Sequence, residues 1–162
     1  MTEEKNERVI IVAPHPDDEI IGCYSILKNV VSSNIVYTTN IPNDRREEAL
    51  KIKEYFNVRQ YFVNFDLPPA LMDKSNIYYF PDPINEVHPD HRRAGYIGEQ
   101  MVRSGYNVIF YSINKNVPYI FEVNNIEEKE EMLNKIYPSQ KSLWEYEKKY
   151  ILFEGYNKWL IY

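Results

Sequence analysis

The chain has 162 residues, of which 44% are apolar and 27% are charged, so it is long enough to bury a substantial hydrophobic core. Its formal net charge of −5 argues against a nucleic-acid-binding protein, which needs a basic face. The single cysteine, Cys23, excludes an intramolecular disulfide and a cysteine-cluster metal site. We predict one domain over residues 1–162, without a nucleic-acid partner.

The first residues and the length of the apolar runs allow a prediction of the cellular location. The first eight residues are polar and lack the apolar core of a secretory signal. No apolar run approaches the length of a bilayer span. The sequence therefore predicts a cytoplasmic protein with no membrane span.

The first half of the chain alternates short apolar runs with amphipathic segments. Residues 9–12 are mostly β-branched and show no alternation, which predicts a central parallel strand covered on both faces. An amphipathic helix follows and runs to about Leu27. Further patterns predict a helix at 44–56 and strands at 34–39, 60–65 and 76–80.

The second half continues the alternation and ends in an aromatic tail. We predict a helix at 90–104, a strand at 107–113, an edge strand at 119–123 and a helix at 126–136. Several aromatic residues of the tail fall three or four apart, which predicts a helical stripe for core or subunit packing, and so allows a homo-oligomer. These residues are Trp144, Tyr146, Tyr150, Phe153, Tyr156, Trp159 and Tyr162.

The order of these elements predicts the fold class. Alternating strands and helices are typical of a three-layer α/β/α sandwich with a Rossmann-like, mostly parallel sheet. A dinucleotide-binding fingerprint is absent, because Gly22 stands alone after the first strand. The sequence therefore does not predict a dinucleotide cofactor.

All three histidines lie in two acidic, proline-containing segments. One is HPDDE, which begins at His15 directly after the first strand, where ligands collect in α/β sheets. The other is HPDH, which begins at His88. His15 and Asp18 are three apart, as are His88 and His91, so one pair from each segment could converge on one divalent ion. Two histidines and one carboxylate suit catalytic zinc and also non-haem iron.

A plainer explanation exists for each motif. Pro-Asp-Asp-Glu is also a good helix start, with proline in the first turn, an aspartate cap and acidic residues that complement the helix dipole. His-Pro-Asp-His could likewise be a cap with two surface imidazoles. Capping alone does not explain why both segments carry histidine as well as acid, so we favour the metal site.

The two motifs, in this order and spacing, resemble the HPDDE and HPDH signatures of the LmbE-like, or PIG-L-like, zinc-dependent N-acetylglucosaminyl deacetylases. Residues 45–49 (RREEA) and 135–140 (KIYPSQ) are similar to the RR-x-E-A and K-x-Y-x-SQ segments of the same family. The resemblance spans residues 9 to about 140. It implies the LmbE-like deacetylase fold and hydrolysis of the N-acetyl group of an N-acetylglucosamine-type glycoside or related small amide.

The resemblance also implies roles for individual residues. The zinc, with Fe²⁺ as an alternative metal, would be held by three of them: His15, Asp18 and His91. Asp17 would be the general base that takes a proton from water and passes it to the leaving amine. His88 would stabilise the developing oxyanion, with Asp90 holding its other nitrogen. Glu19 is assigned mainly to the helix dipole, with contact to a metal ligand as a second expected role.

Substrate contacts are expected from three residues outside the two motifs. The resemblance implies that Arg45 or Arg46 binds substrate oxygens, and we favour Arg46; a solvated helix start is the plain alternative. Asp44 is predicted to cap that helix, with Glu47 completing a capping box. Asp66 follows a predicted strand and is a sugar-contact candidate, although a turn-capping role explains it equally well.

Departures from the family leave two rivals open. The chain is shorter than common members, and Glu86 stands where some members carry a tyrosine that assists the oxyanion. One rival is a metal- or sugar-binding domain without turnover, although such a domain would not need Asp17 or His88. The other is a non-haem iron oxygenase, which the alternating α/β pattern disfavours because those enzymes usually sit on β-rich barrels.

Overall fold

The computed structural model describes residues 8–113, 120–146 and 148–158. The strands are β1 (Val9–Ala13), β2 (Ser33–Tyr37), β3 (Val58–Phe62), β4 (Ile77–Pro81), β5 (Asn107–Tyr111), β6 (Ile120–Glu122) and β7 (Phe153–Asn157). The α-helices are α1 (Asp18–Asn29), α2 (Asn43–Leu50), α3 (Pro89–Arg103), α4 (Ile126–Ile136), α5 (Lys141–Tyr146) and α6 (Lys149–Leu152). Short 3₁₀ helices cover Lys51–Glu54, Pro69–Leu71 and Pro138–Gln140.

The seven strands form one sheet in the order β3-β2-β1-β4-β5-β7-β6. The first five are mutually parallel, whereas β7 is antiparallel to both β5 and β6. This arrangement confirms the predicted α/β class with a mostly parallel sheet. The strand order reverses between β1 and β4, and the carboxyl ends of strands at such a reversal are where open α/β sheets place their ligands.

Side chains alternate across the sheet and build two cores. On one face, Ile11 and Ala13 of β1 belong to a cluster with residues of α1, α2 and α4. On the other face, Ile10 and Val12 belong to a cluster with Ala94 and other residues of α3. Successive side chains of a strand point to opposite faces, so β1 must be apolar throughout to serve both clusters. Helices therefore cover both faces, as the predicted three-layer sandwich requires.

Helix α3 lies very close to the end of β4. A Cβ atom added to Gly95 would clash with the main chain of Pro81 and Pro83, and one added to Gly98 would clash with Phe80. Glycine is therefore required at both positions for this approach. The close packing brings the first turn of α3 over the carboxyl end of β4.

Most predicted elements agree with the structure to within about three residues, but the helix predicted over 44–56 does not continue as an α-helix to 56. It ends at Leu50, where the backbone tightens into the 3₁₀ helix Lys51–Glu54, and its N-terminal cap also differs from the prediction. The helix begins at Asn43, with Pro42 in the cap position and no side-chain cap hydrogen bond. The predicted cap at Asp44 is therefore wrong. Asp44 lies inside the first turn, where its charge still complements the helix dipole. Residue 119, the first residue of the predicted edge strand, lies outside the described residues.

The structure of the aromatic tail shows that the predicted single helical stripe is wrong. It forms two short helices and then β7, which inserts between β5 and β6. Trp144 is fully buried in α5, as a core stripe predicts. Beyond Leu152 the chain forms backbone hydrogen bonds with the edges of β5 and β6 and becomes the strand β7. This strand pairing outweighs the helical spacing of the aromatic residues. Trp159 and Tyr162 lie outside the described residues.

Helix α1, which carries the first motif, has an interruption at Cys23, where φ is −134° and ψ is 23°. The Lys129 ammonium donates a hydrogen bond to the carbonyl of Ile21 (2.9 Å), and the Tyr156 hydroxyl donates one to the carbonyl of Gly22 (2.9 Å). These side chains bind two carbonyl groups beside the interruption, so α4 and β7 hold α1 in its bent form.

Lys129 provides a pH test of this packing. Burial lowers the pKa of Lys129 to about 8, although Glu154 opposes the shift. Between about pH 8 and the unfolded pKa of about 10.4, the unfolded chain binds more protons, so the free energy of unfolding rises with pH. From pH 7 to 9, we expect urea titrations to show wild type gaining about 1 kcal/mol relative to Lys129→Met. A constant difference between the two proteins would show that Lys129 titrates normally.

Candidate metal centre

The fold brings the two histidine motifs together at the carboxyl edge of the sheet. β1 leads into the loop that carries His15 and then into α1, which begins at Asp18. β4 leads into the loop that carries Glu86 and His88 and then into α3, whose first turn holds His91. β1 and β4 are neighbouring parallel strands, so their carboxyl ends meet. Segments far apart in sequence therefore form one site.

Three side-chain atoms form a compact triangle at this site. Asp18 Oδ2 lies 3.0 Å from His91 Nε2 and 3.4 Å from His15 Nδ1, and the two nitrogens are 3.3 Å apart. A tetrahedral zinc ion with bonds of about 2.0–2.1 Å separates its ligand atoms by roughly 3.3–3.4 Å. The triangle therefore fits one face of a zinc tetrahedron with only a small adjustment.

His88 offers an alternative third ligand. The ligand atoms of His15, His88 and His91 all lie within 4.8 Å of one another, so this cluster could hold a metal ion. The His88 side chain is about half exposed, and its Nδ1 accepts a hydrogen bond from the backbone N–H of Asp90 (3.1 Å) at the start of α3. The ligand atoms of His15, Asp18 and His91 lie closer together than those of the three histidines, and Asp18 is more buried than His88. Buried, well-packed side chains hold a metal site in a fixed geometry, so we favour the set that contains Asp18.

The Asp90 carboxylate lies behind His15 rather than behind His88. Its Oδ2 is 2.9 Å from His15 Nε2 but 3.8 Å from His88 Nδ1. The expected Asp90–His88 pairing is thus replaced, because the backbone N–H of Asp90 already occupies His88 Nδ1. A carboxylate that accepts from one imidazole nitrogen orients the other toward a metal, which suits His15 Nδ1 as a ligand.

Glu86 has the corresponding place behind His91. Its side chain is buried, with Oε1 3.7 Å from His91 Nδ1, and it accepts a hydrogen bond from the N–H of Ile113. His91 Nδ1 is buried and has no hydrogen-bond partner in the described structure. Coordination through Nε2 leaves the proton on Nδ1, facing Glu86. Sequence reasoning noted Glu86 only as a departure from the family and missed this role.

The charges of the triangle attract a cation. Burial alone would raise the pKa of Asp18, but His91 and His15 hold it below its usual range. Burial alone would lower the pKa of His91, but Asp18 raises it to about 10. The buried carboxylate thus stabilises positive charge beside it. A divalent ion would satisfy the same demand.

Asp17 is a buried carboxylate with an unusual backbone conformation. Its φ is 105°, and although it occupies the N-cap position of α1, its side chain makes no cap hydrogen bond. The plain capping explanation therefore does not account for it. Glu19 accepts a hydrogen bond from the backbone N–H of Asp17 (3.0 Å). Burial, together with the charges of Asp18 and Glu19, raises the pKa of Asp17 well above its usual value, as suits a proton acceptor at neutral pH.

Glu19 is more than a helix-dipole residue. It is fully buried and accepts hydrogen bonds from the hydroxyls of Tyr37 and Tyr137. Burial raises the pKa of Glu19 to about 7, although the bond from Tyr137 opposes the shift. These contacts fix the carboxylate that holds the Asp17 backbone. Sequence reasoning singled out the KIYPSQ segment, which contains Tyr137, but it missed the contacts of Tyr37 and Tyr137 with Glu19, because these residues come from β2 and from the segment after α4.

Arg45, rather than Arg46, lies at the site. Its guanidinium donates to the Pro16 carbonyl, to Glu48 Oε1 (3.0 Å) and to Ser139 Oγ (3.1 Å). Arg46 is exposed, and its guanidinium lies 4.6 Å from the centre of the Phe62 ring. Neighbouring residues of a helix point in different directions, so only one of the two arginines can face the pocket. The structure therefore reverses the preference for Arg46.

A cavity of about 590 Å³ opens over the cluster, a size that suits a small-molecule ligand. Its polar lining consists of the three histidines together with Asp17, Asp18, Arg45, Glu86 and Gln140. Of the candidate residues within the described ranges, Arg46, Asp66 and Asp90 are outside this lining. Asp66 is exposed on the loop after β3.

Glu86→Gln tests the orienting role of Glu86. Glutamine keeps the shape and can still accept from the Ile113 N–H, but it removes the charge facing His91. We expect zinc affinity, measured by competition with a chromophoric chelator, to fall roughly 10- to 100-fold. The thermal midpoint of the metal-free protein serves as the control for folding. Unchanged zinc affinity in a folded variant would remove Glu86 from the site.

Comparisons with known proteins assign no family. No protein-family model matches the chain, no curated protein matches its sequence, and no solved structure matches its fold. Each helix of the described residues is too short or too polar to span a bilayer. The likeness to LmbE-like deacetylases thus rests on the motif residues, and membership of that family stays a prediction.

Proposed function

We propose that the chain is a zinc-dependent deacetylase that hydrolyses the N-acetyl group of an N-acetylglucosamine-type glycoside or related small amide. The triangle formed by His15 Nδ1, Asp18 Oδ2 and His91 Nε2 carries the proposal, because its 3.0–3.4 Å separations suit ligands of one ion. Asp17 and His88 line the same cavity and supply the groups that a pure metal holder would not need.

His15, Asp18 and His91 would hold the ion, with Asp90 and Glu86 behind the two histidines. Zinc bound there would supply a Lewis acid that lowers the pKa of a coordinated water to about 7 and polarises a substrate carbonyl. A three-residue ligand set leaves room for substrate and water. Fe²⁺ is accepted by the same donor types, so the identity of the metal is part of the proposal.

Asp17 and His88 would move and stabilise charge during hydrolysis. Asp17 accepts a proton from the attacking water and returns it to the departing nitrogen, so that the C–N bond breaks to give acetate and an amine. Burial lowers the pKa of His88, which favours its neutral imidazole. Because His88 Nδ1 accepts from the Asp90 N–H, its proton lies on Nε2, where it can be donated to the developing oxyanion.

The other family-like segments converge on the same site, which supports the proposal. Arg45 of the RREEA segment donates to the Pro16 carbonyl in the first motif and to Ser139 in the KIYPSQ segment. Glu48 accepts hydrogen bonds from the backbone N–H and the hydroxyl of Ser139. Gln140 lines the cavity. The three segments that resemble the family in sequence are therefore in direct contact beside the histidine cluster.

Amine release from a panel of N-acetylglucosamine glycosides tests the proposal. The zinc-loaded chain should release amine and acetate in equal amounts, lose this activity with a chelator and regain it when zinc is added. Bound zinc with no amine release from any glycoside would favour a binding domain without turnover. Oxygen-dependent turnover with Fe²⁺ would favour the oxygenase instead.

Location and assembly belong to the proposal as well. A cytoplasmic location and a homo-oligomeric state stay predictions from the sequence. Size-exclusion chromatography with light scattering would measure the mass of the assembly directly.

A further inference from the structure

The residues expected to bind sugar hydroxyls are mostly absent from the cavity lining among the described residues. Arg46 and Asp66 lie outside it. Arg45 lines the cavity, but its guanidinium already donates to Pro16, Glu48 and Ser139. A site that reads a polar sugar needs polar groups placed to pair with its hydroxyls, because each buried unpaired hydroxyl is costly.

Apolar side chains take up much of the lining instead. They come from α1, the β4–α3 loop, the segment after β5, α5 and α6, and they are Ile21, Val87, Ile113, Leu143 and the ring of Tyr150. Five separate elements thus place apolar side chains around one cavity. Such a wall beside a cluster of polar groups is typical of a small-molecule site that binds an apolar part of its ligand.

Two of these side chains are exposed at the mouth of the cavity. Val87 is 73% exposed and Leu143 is 48% exposed. Single exposed apolar residues are ordinary on protein surfaces. These two, however, line the same concavity as the histidine cluster, and a ligand placed over the cluster would cover them. Removing them from water would then add binding energy.

We propose that the substrate carries an apolar alkyl or aryl group next to its N-acetylated sugar or amine, and that this group packs against Val87 and Leu143. The inference rests on the proposed deacetylase function, which it deepens by naming the substrate class. The cavity volume of about 590 Å³ accommodates one small molecule with such a group.

A series of N-acetylglucosamine glycosides with methyl, butyl and hexyl groups tests the inference. The zinc-loaded chain is used with each glycoside below its micelle concentration. We expect KM to fall roughly tenfold or more from methyl to butyl, since each buried methylene favours binding, with little change in kcat. Calorimetric Kd values for the same glycosides should follow the same order.

Matched variants locate the contact. Val87→Ser and Leu143→Ser should flatten the dependence of KM and Kd on chain length. Ile84→Ser should retain it, because Ile84 is 70% exposed in the same loop but does not line the cavity. Chain-length dependence that survives in both cavity variants would overturn the inference.

The two proposals can fail separately. Amine release that is independent of chain length would overturn the apolar-substrate inference while leaving the deacetylase intact. If no glycoside is hydrolysed, the deacetylase proposal fails, and the Kd series still decides whether the cavity binds apolar groups. Equal Kd values across the series would then reject the inference as well.

Discussion

Asp17→Asn is expected to release amine roughly 10²- to 10⁴-fold more slowly than wild type while binding the same amount of zinc. The Asp17 side chain is buried, lines the cavity, and has a raised pKa because of burial and its acidic neighbours. Asparagine has nearly the same shape but cannot accept the proton of the attacking water. Initial rates of amine release and elemental analysis of the purified variant measure the two effects.

Asp44→Asn is the matched control for this variant. Asp44 is exposed in the first turn of α2, so the same chemical change there should leave both rate and zinc content near wild type. Loss of zinc from Asp17→Asn would mean that the roles of Asp17 and Asp18 are exchanged. A variant with full activity would remove Asp17 from the reaction.

Substitution of the zinc ligands should have the larger effect on metal binding. We expect His91→Ala and Asp18→Asn to weaken zinc affinity by more than the roughly 10- to 100-fold typical of a residue behind a ligand. His91 Nε2 and Asp18 Oδ2 are 3.0 Å apart in the buried triangle, so each substitution removes one of the three proposed ligands. Calorimetric titration of zinc into metal-free protein measures the affinity.

His88→Ala separates the two candidate ligand sets. If zinc is held by His15, Asp18 and His91, the variant keeps its zinc affinity but loses much of its rate. If zinc is held by the three histidines, His88→Ala loses affinity and Asp18→Asn retains it. Circular dichroism is needed beside each titration, because His91 and Asp18 are buried and an unfolded variant would report nothing about the metal.

The sheet and the position of the site were predictable because their signals are local. The apolar run of β1 serves two cores and therefore shows no alternation, and the polar HPDDE motif follows directly at the end of that strand. Helix α4 has the predicted bounds, Ile126–Ile136. A parallel sheet places the carboxyl ends of its strands at one edge, and the pairing of β1 with β4, which only the structure shows, brings the two motifs together.

The partners within the site were not predictable because they depend on atoms rather than on residue spacing. The backbone N–H of Asp90 donates a hydrogen bond to His88 Nδ1, and the Asp90 carboxylate lies against His15 Nε2 instead. Which of two adjacent arginines faces the cavity depends on the rotation of α2 by a fraction of a turn. β7 was missed because its pairing with β5 and β6 is a tertiary interaction that helical spacing does not reveal.

The most direct test of the metal centre is anomalous diffraction at the zinc edge from a crystal of the zinc-loaded chain. We predict one peak per chain, with bonds of about 2.0–2.2 Å to His15 Nδ1, Asp18 Oδ2 and His91 Nε2. A peak bonded to His88 in place of Asp18 would correct the ligand set. No peak at the carboxyl ends of β1 and β4 would contradict the metal centre and, with it, the proposed deacetylase.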